Sequence, residues 1–442
     1  MTLRYMPDAG RLYGEEYARD PQAIYAELRR RHGAVAPVEI APGIEAHLVI
    51  GYQAAVDVLT NAGGVWSKNP SAWQTRLPDT PDAAGMIAML GHRPNALYSD
   101  GAEHARYRKV ISDCFTLVQP HKLRQMVIEV SDSLIAQFAA KGEADLAAEF
   151  ARPIPLRVFN LLFGRPDSDS VALSKALSDM MEADGEVGAR GSDEFGRYIG
   201  ELIQSKYAQR GDDLTSWFID HPAGLDGEEL VHAMVLVLAA GFDPTSSLIS
   251  NTISRMVSDD RYYSSLSNGA LSTYDALMEA LRAEPAMANY GPYFVRRPVH
   301  FHGTWIQPAE LVLVSYAAAN TEPASVPEEQ RSDGGAYLGF GAGPHRCPAS
   351  DPAVLIAMTA IERLTSHLCD LELTVPREEL LWRPGPFHRS LAHLPVRFTP
   401  IRPDQPGESP WAPHSPSSST PSAPTSPARS AGYMTTSAPW SS

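Results

Sequence analysis

The chain has 442 residues, 44% of them hydrophobic, which is enough for a large buried core. Its 37 basic and 52 acidic side chains give a formal net charge of −15. The negative electrostatic field of such a protein repels nucleic acid and anionic lipid. Three cysteines make no disulfide framework and indicate a reducing compartment. The N-terminus has no apolar stretch of signal-peptide length, and the longest apolar run, 233–242, is about half of a bilayer span. We therefore expect a cytoplasmic protein that binds neither nucleic acid nor membrane.

Helical periodicity dominates the predicted elements. A proline begins a helix over 21–30, and further helices are predicted over 103–115, 121–138, 171–181 and 194–207, with an exposed glycine-containing loop over 183–191. Residues 228–253 are apolar nearly all round, which predicts a helix through the core. Short strands are predicted at 47–50, 311–314 and 396–398. We expect a mainly α fold, with one large helical domain and a small β portion.

The composition changes sharply near the C-terminus. Residues 402–442 are rich in proline and serine, and their isolated aromatic residues cannot form a core. We therefore expect a folded domain over 1–401 and a disordered tail over 402–442. An inert extension is the favoured interpretation of the tail, and a docking segment for an unknown partner is the alternative.

One cysteine stands in a distinctive context. The stretch from Leu338 to Ala349 places three glycines before Cys347, and an apolar, helix-forming run follows over 354–364. Glycines let the backbone approach closely and turn N–H groups toward an anion, and the positive end of a helix dipole lowers the pKa of a nearby thiol. This geometry suits a thiolate bound to a metal. Cys114 and Cys369 lie in helical, apolar patterns and are interpreted as small buried hydrophobes.

Three other chemistries fit this stretch less well. A dinucleotide-binding loop needs a further glycine where Arg346 stands, and a preceding βαβ unit. A cysteine protease needs a partner histidine that the sequence does not identify. A zinc site needs more ligands at usable spacing. The residues favour a metal-bound thiolate.

The cysteine stretch resembles the haem-binding signature of the cytochrome P450 haem-thiolate monooxygenases. The residues that carry the likeness are Phe340, Gly341, Gly343, His345, Cys347 and Ala349. The resemblance implies the P450 fold over residues 1–401, with haem b between two core helices. It also implies that Cys347 is the iron ligand, that His345 bonds a haem propionate, and that Phe340, Gly341 and Ala349 belong to the haem-binding loop.

Further segments are similar to landmarks of the same family, in the expected order. His104 and Arg108, four apart, resemble a helix-borne pair that binds a propionate. Glu279 and Arg282 match the E-x-x-R motif and are expected to form a buried pair on the haem side. Residues 383–396 resemble the C-terminal hairpin whose tip reaches the substrate pocket.

The segment 240–245 lies midway along the long apolar helix and resembles the family's A-G-x-D/E-T-T segment. The resemblance implies that Ala240 and Gly241 contact the cofactor, and that Asp243 and Thr245 are the catalytic residues which supply protons during oxygen activation. Pro244 replaces the first threonine, so one hydroxyl is missing and a kink is favoured. We hypothesise that Asp243 and water deliver the protons, which makes turnover slow, uncoupled or substrate-assisted.

Two other positions depart from the family pattern. Tyr293 stands where members carry a propionate-binding arginine, with Arg296 and Arg297 nearby. Arg331 is the candidate for the arginine that joins the Glu279 pair. The sequence does not identify which group replaces the missing arginine charge at position 293.

The resemblance implies a monooxygenase that uses O2 and acts on an unidentified small organic molecule. No flavin or nicotinamide module is visible, so a ferredoxin and ferredoxin reductase are expected as electron donors, with Arg106, Lys109 and Arg346 as candidate docking charges. Residues 287–290, 343–345 and 349–353 are similar to actinobacterial members encoded in the operons called conservons. Two alternatives stay open: oxidative cross-linking of aromatic rings in a small peptide, and a low-turnover haem sensor or scaffold in a signalling operon.

Overall fold

In a computed structural model of the chain, residue 6 and residues 8–165, 173, 175–177, 185–263, 272–322 and 337–401 are described. The predicted tail over 402–442 lies outside the described residues, as does most of the helix predicted over 171–181. Arg331 lies outside them too.

Helices make up most of the described structure. Their starts carry the expected signals: Pro21 opens the second helix, and the Asp20 carboxylate accepts a hydrogen bond from the Ala23 N–H. The helices are α1 (Gly14–Arg19), α2 (Pro21–His32), α3 (Tyr52–Leu59), α4 (Ser71–Gln74), α5 (Pro81–Leu90), α6 (Gly101–Thr116), α7 (Pro120–Phe138), α8 (Pro153–Leu162), α9 (Gly185–Ala208), α10 (Leu214–Asp220), α11 (Gly227–Ser258), α12 (Asp260–Tyr263), α13 (Thr273–Ala283), α14 (Tyr316–Asn320) and α15 (Ser350–His367). Short 3₁₀ turns lie at Ala62–Gly64, Gly343–His345 and Arg377–Glu379, and a π-helical turn at Ala147–Ala151. The predicted helices at 21–30, 103–115, 121–138 and 194–207 are confirmed.

The longest helix, α11, runs through the core, as predicted. A capping box begins it: Asp226 accepts from the Glu229 N–H, and Glu229 accepts from the Asp226 N–H. Every residue from 245 to 254 is buried. In the described part of the chain, α11 alone has the length and hydropathy of a membrane span, and half of its most apolar window is buried inside the protein, as in the core helix of a soluble protein.

The β portion is small. The strands are β1 (Gly10–Arg11), β2 (Val35–Ala41), β3 (Ile44–Val49), β4 (Trp66–Ser67), β5 (Glu143–Asp145), β6 (Asn289–Val295), β7 (Val299–Phe301), β8 (Thr304–Ile306), β9 (Val312–Ser315), β10 (Glu372–Leu373) and β11 (Pro395–Arg397). They form a six-stranded sheet of order β1-β2-β3-β9-β6-β4, a three-stranded sheet of order β10-β11-β5, and the hairpin β7-β8. Strands β3 and β9 pair in parallel with Leu48 opposite Leu313, so distant segments of the chain meet at the centre of the main sheet.

The principal hydrophobic core lies between the long helices. Helix α15 packs against both α7 and α11, and apolar residues of all three belong to one buried cluster. Ile249 on α11 and Ile361 on α15 are both fully buried. Since the cysteine stretch leads directly into α15, this packing fixes the position of that stretch relative to the core helix α11.

The loop predicted over 183–191 is wrong from Gly185 onward, because α9 begins there. Three glycines in its first turns each disfavour a helix by about 1 kcal/mol relative to alanine. Further along, Phe195, Ile199 and Leu202 are buried on one face and pack into the principal core. Tertiary packing of that face outweighs the low helix propensity of the three glycines. A prediction based on the glycines alone does not include this packing.

A buried polar cluster ties three distant segments together. Asn289 on β6 is fully buried, donates to Tyr17 Oη at 2.6 Å and to the Pro386 carbonyl at 2.7 Å, and accepts from Tyr25 Oη at 3.0 Å. The two phenols also share a hydrogen bond at 2.7 Å. The N-terminal helices, the main sheet and the C-terminal segment therefore meet at one amide.

We predict that Asn289→Ala lowers the free energy of unfolding by about 2–4 kcal/mol, because several buried polar groups lose their partner at once. The measurement is chemical denaturation followed by circular dichroism. Asn69→Ala is the control: Asn69 is exposed and accepts one hydrogen bond from the Ser71 N–H at 2.9 Å, so its loss is expected to be below about 1 kcal/mol. Equal losses in the two variants would contradict the role given to Asn289.

Candidate active site

The loop that carries Cys347 is held by main-chain contacts to its neighbours. A Cβ added at Gly343, where φ is +68°, would lie 2.2 Å from the Leu59 carbonyl oxygen at the end of α3. A Cβ added at Gly339 would lie 2.9 Å from the Leu281 carbonyl oxygen on α13. No side chain fits at Gly343, so the sequence pattern of glycines reflects a close approach of backbones.

Hydrogen bonds fix the same loop at both ends. The Leu338 N–H donates to Asn320 Oδ1 at 2.7 Å, and the Cys347 N–H donates to the Phe340 carbonyl at 2.9 Å. Arg108 on α6 donates to the Arg346 carbonyl. Phe340 packs against the principal core, and Gly341 turns the chain with φ at +71°. Of the predicted residues, the structure thus brings Phe340, Gly341, Arg108 and Cys347 together.

Cys347 is half-buried and lies just before α15, two residues ahead of the N-cap residue Ala349. Burial raises the pKa of its thiol, and the Ala349 N–H, Arg108 and Arg346 oppose the rise only in part. The net pKa of the thiol in the protein alone is therefore above its ordinary value, whereas the sequence predicted a fall. A thiol that coordinates a metal cation is deprotonated by the metal itself.

Beside this loop lies a cavity of about 270 Å³ between α6, β4 and β6. His104 and His345 both line it, with ring centroids 4.0 Å apart. His104 Nε2 is buried and has no hydrogen-bond partner among the described residues. The structure therefore brings together the two predicted propionate histidines, whereas Arg108 does not line the cavity.

Charge around the cavity is predominantly positive. Burial, then Lys68 and His104, lower the pKa of His345 to about 2. Burial and then Arg108 lower the pKa of His104. Additional positive charge is unfavourable in this cavity, and by the same electrostatics an anion is favoured there. Lys68 and Asp100, which also line it, carried no signal in the sequence.

On α11, the predicted oxygen-activating residues point in different directions. Ala240 is exposed although it lies midway along a core helix, so this side of α11 faces open space. A Cβ added at Gly241 would lie 2.8 Å from the Phe159 ring on α8. Gly241 lies about 100° round the helix from Ala240 and serves the packing of α11 against α8, and its contact with the cofactor stays a prediction.

Asp243 is buried, and segments far along the chain contact it. Arg383 Nη1 donates to its Oδ1 at 2.7 Å, and His388 Nε2 lies 3.7 Å from its Oδ2. Burial raises the pKa of Asp243, but His388 and Arg383 outweigh that effect, so the net pKa is below the usual value. Thr245 is also buried and lies about 200° round the helix from Asp243, and its catalytic role stays a prediction.

The segment after Trp382 returns on itself, as the predicted hairpin requires. Trp382 bridges Leu391, and the Arg383 N–H donates to the Ser390 carbonyl at 2.8 Å. Phe387 in its tip is buried against Tyr290, with ring centroids 5.8 Å apart. This hairpin supplies both groups that contact Asp243.

The E-x-x-R expectation is corrected by the contacts of Glu279. Its carboxylate pairs with Arg255 on α11 at 3.1 Å and with Arg261 at 3.4 Å, and it accepts a hydrogen bond from Tyr262. Arg282 forms no ion pair with it among the described residues. The reason is that Arg255, which reaches Glu279 from the adjacent helix α11, lies within ion-pair distance of the carboxylate, whereas Arg282 on the same helix as Glu279 does not.

A second cavity, of about 520 Å³, lies between α5, the residues after it and the first turns of α11. Ile87, Arg93 and His232 are among the residues that line it. His232 Nδ1 is buried without a hydrogen-bond partner in the described part of the chain. The cavity therefore combines an apolar wall with free hydrogen-bonding capacity.

Comparisons with known proteins identify relatives along most of the chain. It is 33% identical over 402 residues to the cytochrome P450 monooxygenase PikC of Streptomyces venezuelae, covering 88% of this chain and 94% of that protein. It is 28% identical over 386 residues to the mycinamicin IV hydroxylase/epoxidase of Micromonospora griseorubida, covering 84% and 94%. The structure of CYP154C4 from Streptomyces sp. W2061 superposes with a TM-score of 0.78 at 24% identity, covering 89% and 98%. No protein-family model matches the chain.

The chain belongs to the cytochrome P450 superfamily. It is a cytochrome P450 monooxygenase with haem b as its cofactor, and the predicted mainly α fold is confirmed. The described residues fit that cofactor, because the unpartnered His104 Nε2 and the positive cavity suit the carboxylates of haem. No group of three or more metal-ligating side chains lies in the described part of the chain.

We predict that Gly343→Ala destabilises the protein by at least about 2 kcal/mol more than Gly224→Ala. Both glycines have positive φ, which costs an alanine about 1–2 kcal/mol, but a Cβ at Gly224 meets nothing within 4 Å. Thermal unfolding and the haem content of each purified variant measure the difference. Equal stability and haem content in both variants would show that the loop does not depend on this approach.

Proposed function

We propose that Cys347 binds the haem iron and that the enzyme inserts one atom of O2 into a small organic molecule, with electrons from a ferredoxin and its reductase. The observation that carries the proposal is the position of Cys347: it is half-buried, the Ala349 N–H and Arg108 lie close enough to lower the pKa of its thiol, and its loop also carries His345, which lines the positive cavity. When bound, the haem supplies a thiolate-ligated iron at which the O–O bond is cleaved. The overall balance is R–H, O2, two electrons and two protons giving R–OH and water.

Within the site, His104 and His345 would hold the carboxylates of the cofactor, and the loop from Leu338 to Ala349 would present Cys347 to it. Ala240 is exposed on α11 and would be available to contact the cofactor. Pro244 has no N–H, so the Ala240 carbonyl lacks its helical donor and is free to accept a hydrogen bond from water or substrate.

Asp243 supplies protons to this space. The lowered pKa keeps its carboxylate ionised near neutral pH, and Arg383 holds one oxygen while the other has no hydrogen bond among the described residues. When its contact with Arg383 loosens, the pKa of the carboxylate rises and it takes up a proton from solvent; when the contact forms again, the pKa falls and the proton is released toward the cleft. Pro244 offers no hydroxyl to steady that water, and we expect incomplete coupling of electrons to product.

We predict that Pro244→Thr raises the fraction of reductant that appears as product, since it adds a hydroxyl near Asp243. Pro244→Ala is the matched control because it restores the backbone N–H without a hydroxyl. Reductant consumption, peroxide and product are measured together. The hypothesis fails when coupling is unchanged in the threonine variant, or when alanine raises it equally.

We infer that the substrate reaches the cleft through the cavity between α5 and α11. Ile87 offers apolar contact there, while Arg93 and His232 offer polar contact. More than half of the lining residues are polar or charged, among them Gln74, Glu228 and His232, so this entrance favours a substrate that carries polar groups beside its apolar part. The related enzyme of Micromonospora griseorubida is named for mycinamicin IV, and this supports a small organic molecule as the substrate of the present chain.

Of the three candidate docking charges for a ferredoxin, the contacts favour one. Arg106 is paired with Glu229, and Lys109 donates to Asp113 at 2.6 Å. Arg346 is exposed on the Cys347 loop and forms no ion pair among the described residues. An acidic ferredoxin that contacts Arg346 would sit close to the thiol side of the cofactor, which shortens electron transfer.

The relatives named above are oxygenating enzymes, and this favours turnover over a haem sensor encoded in a conservon. Aromatic cross-linking is separated from oxygenation by the product: oxygenation adds an oxygen atom to the substrate, whereas coupling removes two hydrogen atoms. Mass spectrometry with labelled O2 distinguishes the two outcomes.

We predict that the reduced, CO-bound protein shows a strongly red-shifted Soret band and that Cys347→His abolishes it, because the shift requires a thiolate ligand. Cys369→His is the matched control: Cys369 is exposed, and its replacement should leave the band in place. An unshifted band in the unmodified protein, or a shifted band that survives Cys347→His, would refute thiolate ligation by this residue.

A further inference from the structure

We propose that Lys68 is the counter-ion of a haem propionate in this protein, in place of the arginine whose position Tyr293 occupies. The proposal rests on the haem cofactor described above. Lys68 follows β4 and is 2% exposed, among the most deeply buried large side chains of the protein. Deep burial of a lysine is rare and requires a compensating interaction.

The lysine ammonium lies against the residue that stands in the arginine's place. Its Nζ is 4.0 Å from the centroid of the Tyr293 ring. Gly291, with φ at +75°, leaves the space: a Cβ added there would lie 3.7 Å from Lys68 Nζ and 3.2 Å from Tyr316 Oη. Lys68 also lines the cavity that His104 and His345 share. Tyr293 on β6 has no positive charge, and Lys68, which follows β4, supplies a positive charge to the same cavity.

No carboxylate within the described ranges lies within 4.0 Å of the Lys68 ammonium. The acid that lines the same cavity, Asp100, is occupied: it accepts from Ser67 Oγ at 2.6 Å, from the Lys68 backbone N–H at 3.0 Å and from Arg296 Nη2 at 2.9 Å. A face of Tyr293 offsets only about 0.5–2 kcal/mol of the cost of burying a cation.

Burial lowers the pKa of Lys68 to about 7, and Asp100 opposes this only in part. A bound carboxylate restores the charged form, because an opposite charge within a few ångströms favours it. Lys68 and Arg296 bring two positive charges to the cavity against the single negative charge of Asp100. The two propionates of haem b are anions that meet this requirement.

The test is Lys68→Met in the holoenzyme, with Lys68→Arg beside it and Lys122→Met as the matched control at an exposed lysine. Two quantities are measured: the rate of haem transfer to apomyoglobin, and the ferric/ferrous midpoint potential. We expect Lys68→Met to lose haem about tenfold faster, as a charged hydrogen bond is worth about 1.5–3 kcal/mol. We also expect a lower potential, since a cation beside the haem disfavours the ferric state. Lys68→Arg should retain most of both properties.

Two results overturn the proposal. In the first, Lys68→Met and Lys122→Met have the same rate of haem transfer and the same midpoint potential. The other is faster haem loss with an unchanged potential in both Lys68 variants, which would make Lys68 a packing residue. The CO spectrum of the unmodified protein keeps this test separate from the proposed function: an unshifted band refutes thiolate ligation, whereas the Lys68 comparison remains measurable wherever haem is bound.

Discussion

The site depends on how closely the main chain of the Cys347 loop approaches the carbonyl ends of two helices. Gly343 touches the end of α3 and Gly339 touches α13, in each case without room for a side chain. The loop is located by backbone contacts together with the packing of Leu338 and Phe340. Cys347 consequently keeps a fixed position while it remains only half-buried. Small changes in α3 or α13 would shift the sulfur directly.

Local patterns predicted the parts of the site that adjoin in sequence. The glycines and Cys347 lie within a dozen residues, and the spacing of His104 and Arg108 fixes their shared helix. The packing of Gly241 against Phe159 was not predictable, because the motif does not say which helix face meets α8. A lysine at position 68 has no local signal at all, because its burial arises only when β4, β6 and the Cys347 loop assemble.

The same limit applies to charge. The E-x-x-R spacing indicated a pair on one helix, whereas Glu279 meets Arg255 across the interface of α13 and α11. The helix start beside Cys347 is visible in the sequence, whereas the burial that raises the pKa of its thiol is not. In both cases the deciding contribution comes from elements distant in the chain, and composition and spacing carry no information about it.

The hairpin that contacts Asp243 has a consequence for how substrate and proton supply are related. Arg383 and His388 belong to the hairpin, and Asp243 belongs to the core helix, so the carboxylate responds to a segment about 140 residues away in the chain. A molecule that displaces the hairpin tip at Phe387 would therefore change the electrostatic environment of Asp243 at the same time. Binding at the hairpin and the proton affinity of the acid would then change together.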